Sequence, residues 1–540
     1  MLACALASNT RAEVKPNALF SDNAVLQQGV PVPVWGTAAP NEKVTVEFAA
    51  QQKTATADAQ GKWQVTLDPM PASNAPQDLK ISGNLKTQLS NLKCASVLVG
   101  EVWICSGQSN MAFLLKGAGN ATTETPTANY PKLRMFTVTQ KTALYPLTEM
   151  TGKWVECSPT TVGTFSAVGY FFGRDIHKAT GAPVGMIHTS WGGTPAESWT
   201  SLTGLEKDQQ LKGYVDSVRK LMANYAAASA QLPQALADYA AKLKVWNTEV
   251  GWALKKADEE WRKESVKTLA AGKTPARRPE PATPRPLPPA ALDGGNHGPT
   301  TLYNAMIAPL IPYAIKGAIW YQGESNSGKA FEYRTLFPRM IADWREHWNQ
   351  GDFPFLFVQL APLGDRWKEL WEAQLLTWKK TPNTGMAVTT DVGGSLHPLQ
   401  KEPVGTRLAL AARAVAYGEK IEYSGPEYDS FKIEQNRVII SFKHLGGGLV
   451  AKNGPLKGFS IAGADKKLVE ATAEIQGDTV VVTSDKVAAP VAVAYGWSRG
   501  ADFNLWNKAG LPASPFRTNP EAMTQDPPPT NHPAPAATPP

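Results

Sequence analysis

Two parts of the chain show hydrophobic and polar residues in alternation. Runs such as EKVTVEFAA and KWQVTLD occur within residues 17–93, and RVIISFKH and DTVVVTS occur within residues 421–515. Pro, Gly, Asn or Asp residues separate the runs. Successive side chains of a strand point to opposite faces of a sheet, so this period indicates half-buried strands joined by turns. We expect sandwich-like β-domains over residues 17–95 and 421–517.

The pattern changes between these two parts. Continuous apolar runs, among them VLVGEVWIC, VGMIHTS and IKGAIWY, alternate with stretches of helical period such as RTLFPRMIADWREHW. Strands that are buried on both faces and joined by crossover helices form parallel sheets. The sequence therefore predicts the fold class α/β, with a parallel-sheet domain over residues 96–420.

An insertion over residues 205–293 interrupts this central domain. Its first part is rich in Ala, Lys, Glu and Gln and predicts a helical hairpin, while PARRPEPATPRPLPP predicts a stiff polyproline-like linker. The insertion is either a lid or docking arm, or a surface insertion that the fold tolerates.

Charge and composition exclude several classes of protein. Of a net charge of +7, most lies in residues 206–286, which hold 15 Lys and Arg against 10 Asp and Glu. A charge surplus confined to one segment argues against a nucleic-acid groove through the main body. No apolar run is long enough to span a bilayer, and four cysteines without metal-ligand spacing predict neither a disulfide scaffold nor a bound metal.

The two ends of the chain predict processing and disorder. MLACALASNTRA resembles the remnant of a signal peptide, so we expect residues 1–16 to be a leader remnant or disordered. Export to the periplasm or the medium follows from that interpretation. The Pro-rich residues 518–540 are expected to be disordered.

Side chains suited to acyl transfer follow four of the predicted parallel strands. Loops at the carboxyl ends of such strands converge on one crevice. A serine there needs a base such as histidine, a carboxylate can hold the imidazolium, and N–H donors can meet an oxyanion. Each residue alone is more commonly a helix cap or turn residue, so the hypothesis depends on their joint occurrence. They are Ser109, Gly192, Gly193, Gln322, Glu324, Asn326, Asp391 and His397.

Four motifs in order resemble the sialate O-acetylesterase family of SGNH-type carbohydrate esterases. They are GEVWICSGQSNM, GMIHTSWGGTPAESW, AIWYQGESN and LHPLQKEPVGTRLALAA, and the likeness spans nearly the whole chain. The resemblance implies a flavodoxin-like SGNH hydrolase domain that removes acetyl groups from sugar hydroxyls without a metal or organic cofactor.

The resemblance also implies roles for individual residues. Ser109 would be the nucleophile and His397 the base. The oxyanion hole would use the N–H of Ser109, an N–H of Gly192 or Gly193, and a side-chain amide. For that amide we expect Gln322 first and Asn326 second.

The third member of the triad departs from the family pattern. SGNH enzymes commonly place Asp three residues before the histidine, and Gly394 occupies that position here. Asp391 is the first alternative and Glu324 the second; a Ser–His dyad oriented by a backbone carbonyl is the third. If Asp391 orients the ring, Asp391→Asn should lower kcat at least about tenfold, and Glu324→Gln should do less.

The acetylated sugar is not encoded clearly in the sequence. Arg366 or Arg407 could bind the carboxylate of a sialic acid, whereas acetylated xylan or xyloglucan would need no such arginine. The side chains expected to contact the carbohydrate are those of Gln108, Asn110, Trp191 and Trp320.

Two other classes of protein are alternatives to a carbohydrate esterase. An α/β-hydrolase needs a Gly-x-Ser-x-Gly turn, but Ser109 lies in Gly-Gln-Ser-Asn-Met, which counts against it. A non-catalytic carbohydrate-binding protein stays open because Gly394 replaces the usual Asp. An O-acetylated carbohydrate is the expected partner, and the oligomeric state is left open.

Overall fold

The computed structural model describes residues 14–84, 91–281, 283–364, 367–497 and 503–519. The expected leader and Pro-rich tail lie almost wholly outside these residues. The N-terminal strands are β1 (Lys15–Pro16), β2 (Val25–Gln27), β3 (Val32–Thr37), β4 (Lys43–Phe48), β5 (Gln51–Thr56), β6 (Lys62–Leu67) and β7 (Ser73–Gly83). In β6 every second residue is buried, as the alternation predicts. Strands β1, β3 and β6 form one sheet, while β4 pairs with β5 and β7.

One long strand, β8 (Asn91–Gly107), joins these N-terminal strands to the centre of the molecule. Its first part pairs antiparallel with β7 and parallel with β2. Every residue from Val97 to Gly107 is buried, which requires cover on both faces. The domain boundary expected after residue 95 therefore falls inside a single continuous strand.

The central sheet continues on both sides of β8. Its further strands are β9 (Tyr130–Thr137), β10 (Trp154–Cys157), β11 (Val184–Ser190), β12 (Gly317–Tyr321), β13 (Phe355–Val358) and β14 (Thr384–Ala387). Their order is β10-β9-β11-β8-β12-β13-β14, and all pairings are parallel except that of the edge strand β10. The predicted mixed α/β fold is confirmed, although the sequence did not predict β9 or β10.

The helices are α1 (Ser109–Ala112), α2 (Ala121–Glu124), α3 (Ala167–Thr180), α4 (Leu202–Glu206), α5 (Lys212–Trp246), α6 (Trp252–Ala270), α7 (Ala330–Trp348), α8 (Lys368–Lys380) and α9 (Glu402–Val415). Helices α3, α8 and α9 pack on strands of the central sheet. Helix α3 packs on α9, and α7 packs on α8. Ser166 caps α3 by accepting a hydrogen bond from the Gly169 N–H, and Gly181 ends the helix with a left-handed φ of 67°.

The strand order places a crevice beside β8. After β8 the chain builds β9 and β11 on one side of it, and then crosses to build β12, β13 and β14 on the other side. Connections that leave two neighbouring parallel strands in opposite directions open a gap above their carboxyl ends. The loops after β8 and β12 border that gap.

The C-terminal strands form three small sheets. They are β15 (Glu427–Glu434), β16 (Arg437–Lys443), β17 (Leu449–Ala451), β18 (Phe459–Ala462), β19 (Leu468–Glu470), β20 (Thr472–Gln476), β21 (Thr479–Thr483), β22 (Ala492–Tyr495), β23 (Leu505–Asn507) and β24 (Phe516–Arg517). The sheet orders are β15-β16-β21-β20, β17-β23 and β19-β18-β22-β24. One cluster of buried hydrophobic residues runs from Val14 through the central sheet to Phe516, so the three parts share a core.

The insertion is one long helix instead of the expected hairpin. Helices α5 and α6 are joined by a π-helical segment, Asn247–Gly251, whose flanking residues keep helical dihedrals, so the chain does not reverse there. Residues 212–270 thus extend over about 90 Å. The Pro-rich segment then returns along the helix, where Trp261 donates to the Ala276 carbonyl at 2.7 Å and Trp246 to the Thr283 carbonyl at 2.8 Å.

Across the described ranges, no helix combines the length and the apolar character that a membrane crossing requires.

Candidate active site

Ser109 and His397 meet at the carboxyl edge of the central sheet. The Ser109 hydroxyl lies 2.8 Å from Nε2 of His397, within hydrogen-bond distance. Ser109 begins α1 directly after β8, and His397 lies in the loop between β14 and α9. Both residues are partly exposed. A serine in contact with a histidine at an accessible edge is an arrangement for nucleophilic acyl transfer.

The turn that presents Ser109 depends on Gly107. Gly107 has a φ of +134°, and a Cβ on it would lie 2.2 Å from the carbonyl oxygen of Tyr321. Gly107 is paired with Tyr321 at the end of β12, and the N–H of Gln108 donates to that same carbonyl at 3.0 Å. Only glycine allows this close approach, which fixes where Ser109 begins its helical turn.

The loop after β11 brings Gly192 against the nucleophile. A Cβ on Gly192 would lie 3.4 Å from the Cβ of Ser109, so glycine keeps the space beside the hydroxyl open. The Gly193 carbonyl accepts a hydrogen bond from Nε2 of His297 at 2.7 Å. His297 lies just after the insertion, and no feature of the sequence predicts that it supports this loop.

The side-chain amides of Gln322 and Asn326 are directed elsewhere. Nε2 of Gln322 donates to Oδ1 of Asn326 at 2.6 Å and to the Thr194 carbonyl at 3.2 Å, which uses both of its hydrogens. Nδ2 of Asn326 donates to Glu197 at 2.8 Å. Gln322 is fully buried and Asn326 nearly so. The structure therefore corrects the expectation that one of these amides faces an oxyanion at Ser109: both hold the loop together.

Asp391 is paired with Arg407 and not with His397. Its two carboxylate oxygens accept hydrogen bonds from the Arg407 guanidinium at 2.6 and 2.7 Å. Within the described ranges, Nδ1 of His397 has no hydrogen-bond partner. Glu324 is also apart from the ring, because its Oε1 accepts from Nδ2 of Asn110 at 2.6 Å. The structure thus brings neither candidate carboxylate to the imidazole.

Comparison with known proteins decides the family. The sequence matches the family described as "Carbohydrate esterase, sialic acid-specific acetylesterase" over residues 99–233 and 292–409. It is 31% identical to the sialate O-acetylesterase of Mus musculus over 452 residues, which cover 76% of this chain and 75% of that protein. The chain belongs to this carbohydrate esterase family.

Two further relatives agree with this assignment. The sialate O-acetylesterase of Homo sapiens is 28% identical over 452 residues, covering 76% of this esterase and 72% of the human protein. A solved carbohydrate acetylesterase from Xanthomonas citri is 35% identical, with a TM-score of 0.75 and coverage of 94% of this chain and 100% of that chain. The protein is accordingly a carboxylic ester hydrolase of the carbohydrate acetylesterase class. The family match omits residues 234–291, which lie within the insertion.

Behind the nucleophile, the esterase holds a buried charged cluster that the sequence did not predict. The amide of Asn110 accepts a hydrogen bond from Nζ of Lys401 at 2.5 Å and donates to the Leu396 carbonyl at 3.0 Å. Lys401 has no exposed surface. Its position four residues after His397 was the only signal in the sequence, and lysines near helix starts are usually exposed.

Among the side chains expected to contact the sugar, Trp320 does not lie at the surface of the site. It is 1% exposed and packs between Trp199 and Trp344 in the core of the esterase. Gln108 is buried too, and its Oε1 accepts from the N–H groups of Gly323 and Ser325 at 3.4 and 3.3 Å. Asn110 is hydrogen-bonded to Lys401 and to the Leu396 carbonyl. Trp191, partly exposed beside Gly192, therefore remains as the candidate for contact with a sugar.

Burial lowers the pKa of His397 below its ordinary value, and the charge of Lys401 lowers it further. The ring is therefore neutral, and able to accept a proton, at neutral pH. As for metals, the described part of the chain contains no group of three or more His, Cys, Asp or Glu side chains arranged to hold an ion.

Proposed function

We propose that this esterase removes O-acetyl groups from carbohydrates, with Ser109 as nucleophile and His397 as general base. The 2.8 Å contact between the Ser109 hydroxyl and Nε2 of His397 carries the proposal. The reaction class agrees with the family to which the chain belongs.

In the first half of the reaction, Ser109 Oγ attacks the acetyl carbonyl carbon while Nε2 of His397 takes the hydroxyl proton. The oxyanion that forms needs donors, and the N–H groups of Ser109 and Gly192 are the proposed pair. Ser109 opens a helical turn, where the first N–H groups have no intrahelical acceptor. The protonated His397 then gives its proton to the sugar oxygen, the C–O bond breaks, and acetyl-Ser109 remains.

In the second half, water attacks the acetyl group while His397 accepts its proton. The tetrahedral intermediate collapses, the proton returns to Ser109 Oγ, and acetate leaves. Each proton transfer uses the same nitrogen, so the contact that activates Ser109 also serves the hydrolysis of acetyl-Ser109.

We propose that His397 works with Ser109 as a dyad. The support is that Asp391 accepts two hydrogen bonds from Arg407, and that Glu324 reaches Asn110 and not the ring. The ring orientation is then set by the loop of residues 394–399, whose Leu396 carbonyl is held by Asn110.

We also propose the SGNH-type, flavodoxin-like arrangement for the central domain of residues 96–420. With β9 and β10 left aside, the order β11-β8-β12-β13-β14 corresponds to 2-1-3-4-5, which supports that fold. Residues 17–95 and 421–517 would be sandwich-like units on either side. The hydrophobic cluster common to all three parts supports units that fold together.

A sialate ester is the first proposed substrate, because the curated relatives are sialate O-acetylesterases. A neutral acetylated polysaccharide such as xylan or xyloglucan is the second. One observation favours the second candidate: the guanidinium of Arg407 is paired with Asp391 and also donates to the Val388 carbonyl at 2.8 Å. Arg407 is therefore not free to bind a sialate carboxylate, and Arg366 lies outside the described residues.

The experiment is acetate release from O-acetylated sialic acid, acetyl-xylan and acetylated xyloglucan oligosaccharides by the wild type and by Ser109→Ala. The proposal expects release from at least one of these substrates by the wild type only. Release by both proteins, or carbohydrate binding without turnover, contradicts it. We further propose export, on the leader-like first residues; secretion of a tagged full chain tests this.

A further inference from the structure

Lys401 lies behind the active site, in surroundings that are unfavourable for a positive charge. It has no exposed surface, and it occupies the position that precedes the first turn of α9, where the helix dipole disfavours a cation. Burial and dipole both make a lysine costly here. A residue that breaks local rules in this way beside a reactive pair suggests a functional reason.

Lys401 contacts the residue that follows the nucleophile Ser109. Its Nζ lies 2.5 Å from Oδ1 of Asn110, which directly follows Ser109 in the chain. The ammonium also lies over the rings of Phe113 and Tyr321, at 4.8 and 5.3 Å from their centroids. The aromatic faces stabilise the charge without offering it a carboxylate.

The Asn110 amide connects Lys401 to the loop that carries the base, His397. Its Nδ2 donates to the Leu396 carbonyl at 3.0 Å and to Oε1 of Glu324 at 2.6 Å. An ammonium only donates, and a carbonyl only accepts, so these partners fix which way the amide points. Leu396 immediately precedes His397. One amide, oriented by Lys401, therefore ties the nucleophile turn to the base loop.

We propose that Lys401 is a positioning residue of the Ser109–His397 pair. It fixes the Asn110 amide that holds the base loop, and its positive charge opposes protonation of His397. This inference rests on the proposed function.

Charges around the ring agree with this role. Burial lowers the pKa of Lys401 to about 7, while the pKa of His397 is lowered below its ordinary 6.5. Lys401 is therefore still charged at the pH where His397 takes up a proton. Glu324, on the other side of Asn110, counteracts part of this charge, and burial raises its pKa. The carboxylate of Asp391 forms an ion pair with the guanidinium of Arg407.

The test is the pH dependence of kcat/KM on para-nitrophenyl acetate for the wild type, Lys401→Met and Lys401→Arg. Lys401→Met should move the acid limb at least about half a pH unit higher and lower kcat about tenfold, with KM within about twofold of the wild type. Lys401→Arg keeps the charge and should keep the wild-type limb. Lys379→Met is the control, because its amine bonds the Tyr428 carbonyl in the C-terminal part, and it should match the wild type.

A Lys401→Met enzyme that is slower but has an unmoved acid limb would overturn the inference, since a merely structural role lowers the rate without moving the limb. If this variant does not fold, Lys401→Gln, which removes the charge but keeps a polar side chain, takes its place. An acid limb that stays at the wild-type pH in Lys401→Gln likewise overturns the inference. Activity retained by Ser109→Ala would instead show that the proposed function itself is wrong.

Discussion

The Ser109 hydroxyl lies 2.8 Å from Nε2 of His397, although 288 residues separate the two in the chain. Ser109 lies just after strand β8, and His397 lies in the loop after β14. We predict that Ser109→Ala lowers kcat on an acetyl ester at least about a thousandfold, because no nucleophile then forms the acyl-enzyme.

Ser190→Ala is the matched control for that prediction. Ser190 also contacts a histidine, since its Oγ lies 2.6 Å from Nε2 of His188, but both residues are buried. The control should stay within about threefold of the wild type. Equal losses in the two variants would mean that the effect does not come from the nucleophile.

Asp391→Asn tests whether this carboxylate serves the fold or the imidazole. It should lower the free energy of unfolding by about 1–3 kcal/mol, because the largely buried Arg407 loses its partner. We expect kcat of the folded variant to stay within about threefold, since Asp391 does not contact His397. The measurements are denaturant unfolding and steady-state kinetics.

Glu419→Gln removes a more exposed ion pair, with Arg413 near the end of α9, and should lower the free energy of unfolding by less than Asp391→Asn does. A tenfold or larger fall in kcat for Asp391→Asn at unchanged stability would return Asp391 to the role expected from the sequence.

Gly107→Ala should damage folding and activity together. The added Cβ would meet the Tyr321 carbonyl at 2.2 Å in a backbone conformation that disfavours side chains. We expect a loss of at least about 3 kcal/mol in the free energy of unfolding, or an insoluble product. Gly213→Ala, in the open first turn of α5, should be neutral or stabilising by up to about 1 kcal/mol. A Gly107→Ala protein as stable and active as the wild type would refute this account of the turn.

His188 should make stability depend on pH. Burial lowers its pKa to about 4 in the folded protein, while the unfolded chain takes up the proton near 6.5. The unfolded state thus binds the proton first as the pH falls, so this contribution is complete above about pH 6.5 and is lost toward pH 4. Between about pH 7 and 4.5, the wild type should lose about 2–3 kcal/mol relative to His188→Gln.

Urea unfolding of both proteins at the two pH values measures this difference, with His177→Gln as a second histidine control. Parallel pH dependence of the wild type and His188→Gln would contradict the prediction.

The sequence predicted those parts of the fold that carry a strong local signal. The fully apolar runs before Ser109 and Gln322 and the helical period of α3, α7, α8 and α9 were sufficient to predict a mixed α/β fold. The hairpin expected in the insertion was wrong, because a π-helical turn continues the helix where the composition gave no clear signal.

For the site, the sequence predicted which residues follow the parallel strands, but it did not predict which partners their side chains bind. Loops after parallel strands converge, so Ser109 and His397 could be placed at one edge before any coordinates. Which acceptor Gln322 bonds, or that Arg407 pairs with Asp391, depends on packing between distant segments. Lys401 was missed for the same reason: its burial and its contact with Asn110 arise only when the start of α9 lies against the turn that follows β8.

Labelling with a fluorophosphonate, followed by peptide mapping, tests the central claim most directly. Such a reagent phosphonylates a serine activated by a neighbouring base. The account predicts one labelled site, Ser109, with a labelling rate at least about a hundredfold lower in His397→Gln. Labelling of another residue, or an unchanged rate of Ser109 labelling in His397→Gln, would contradict it.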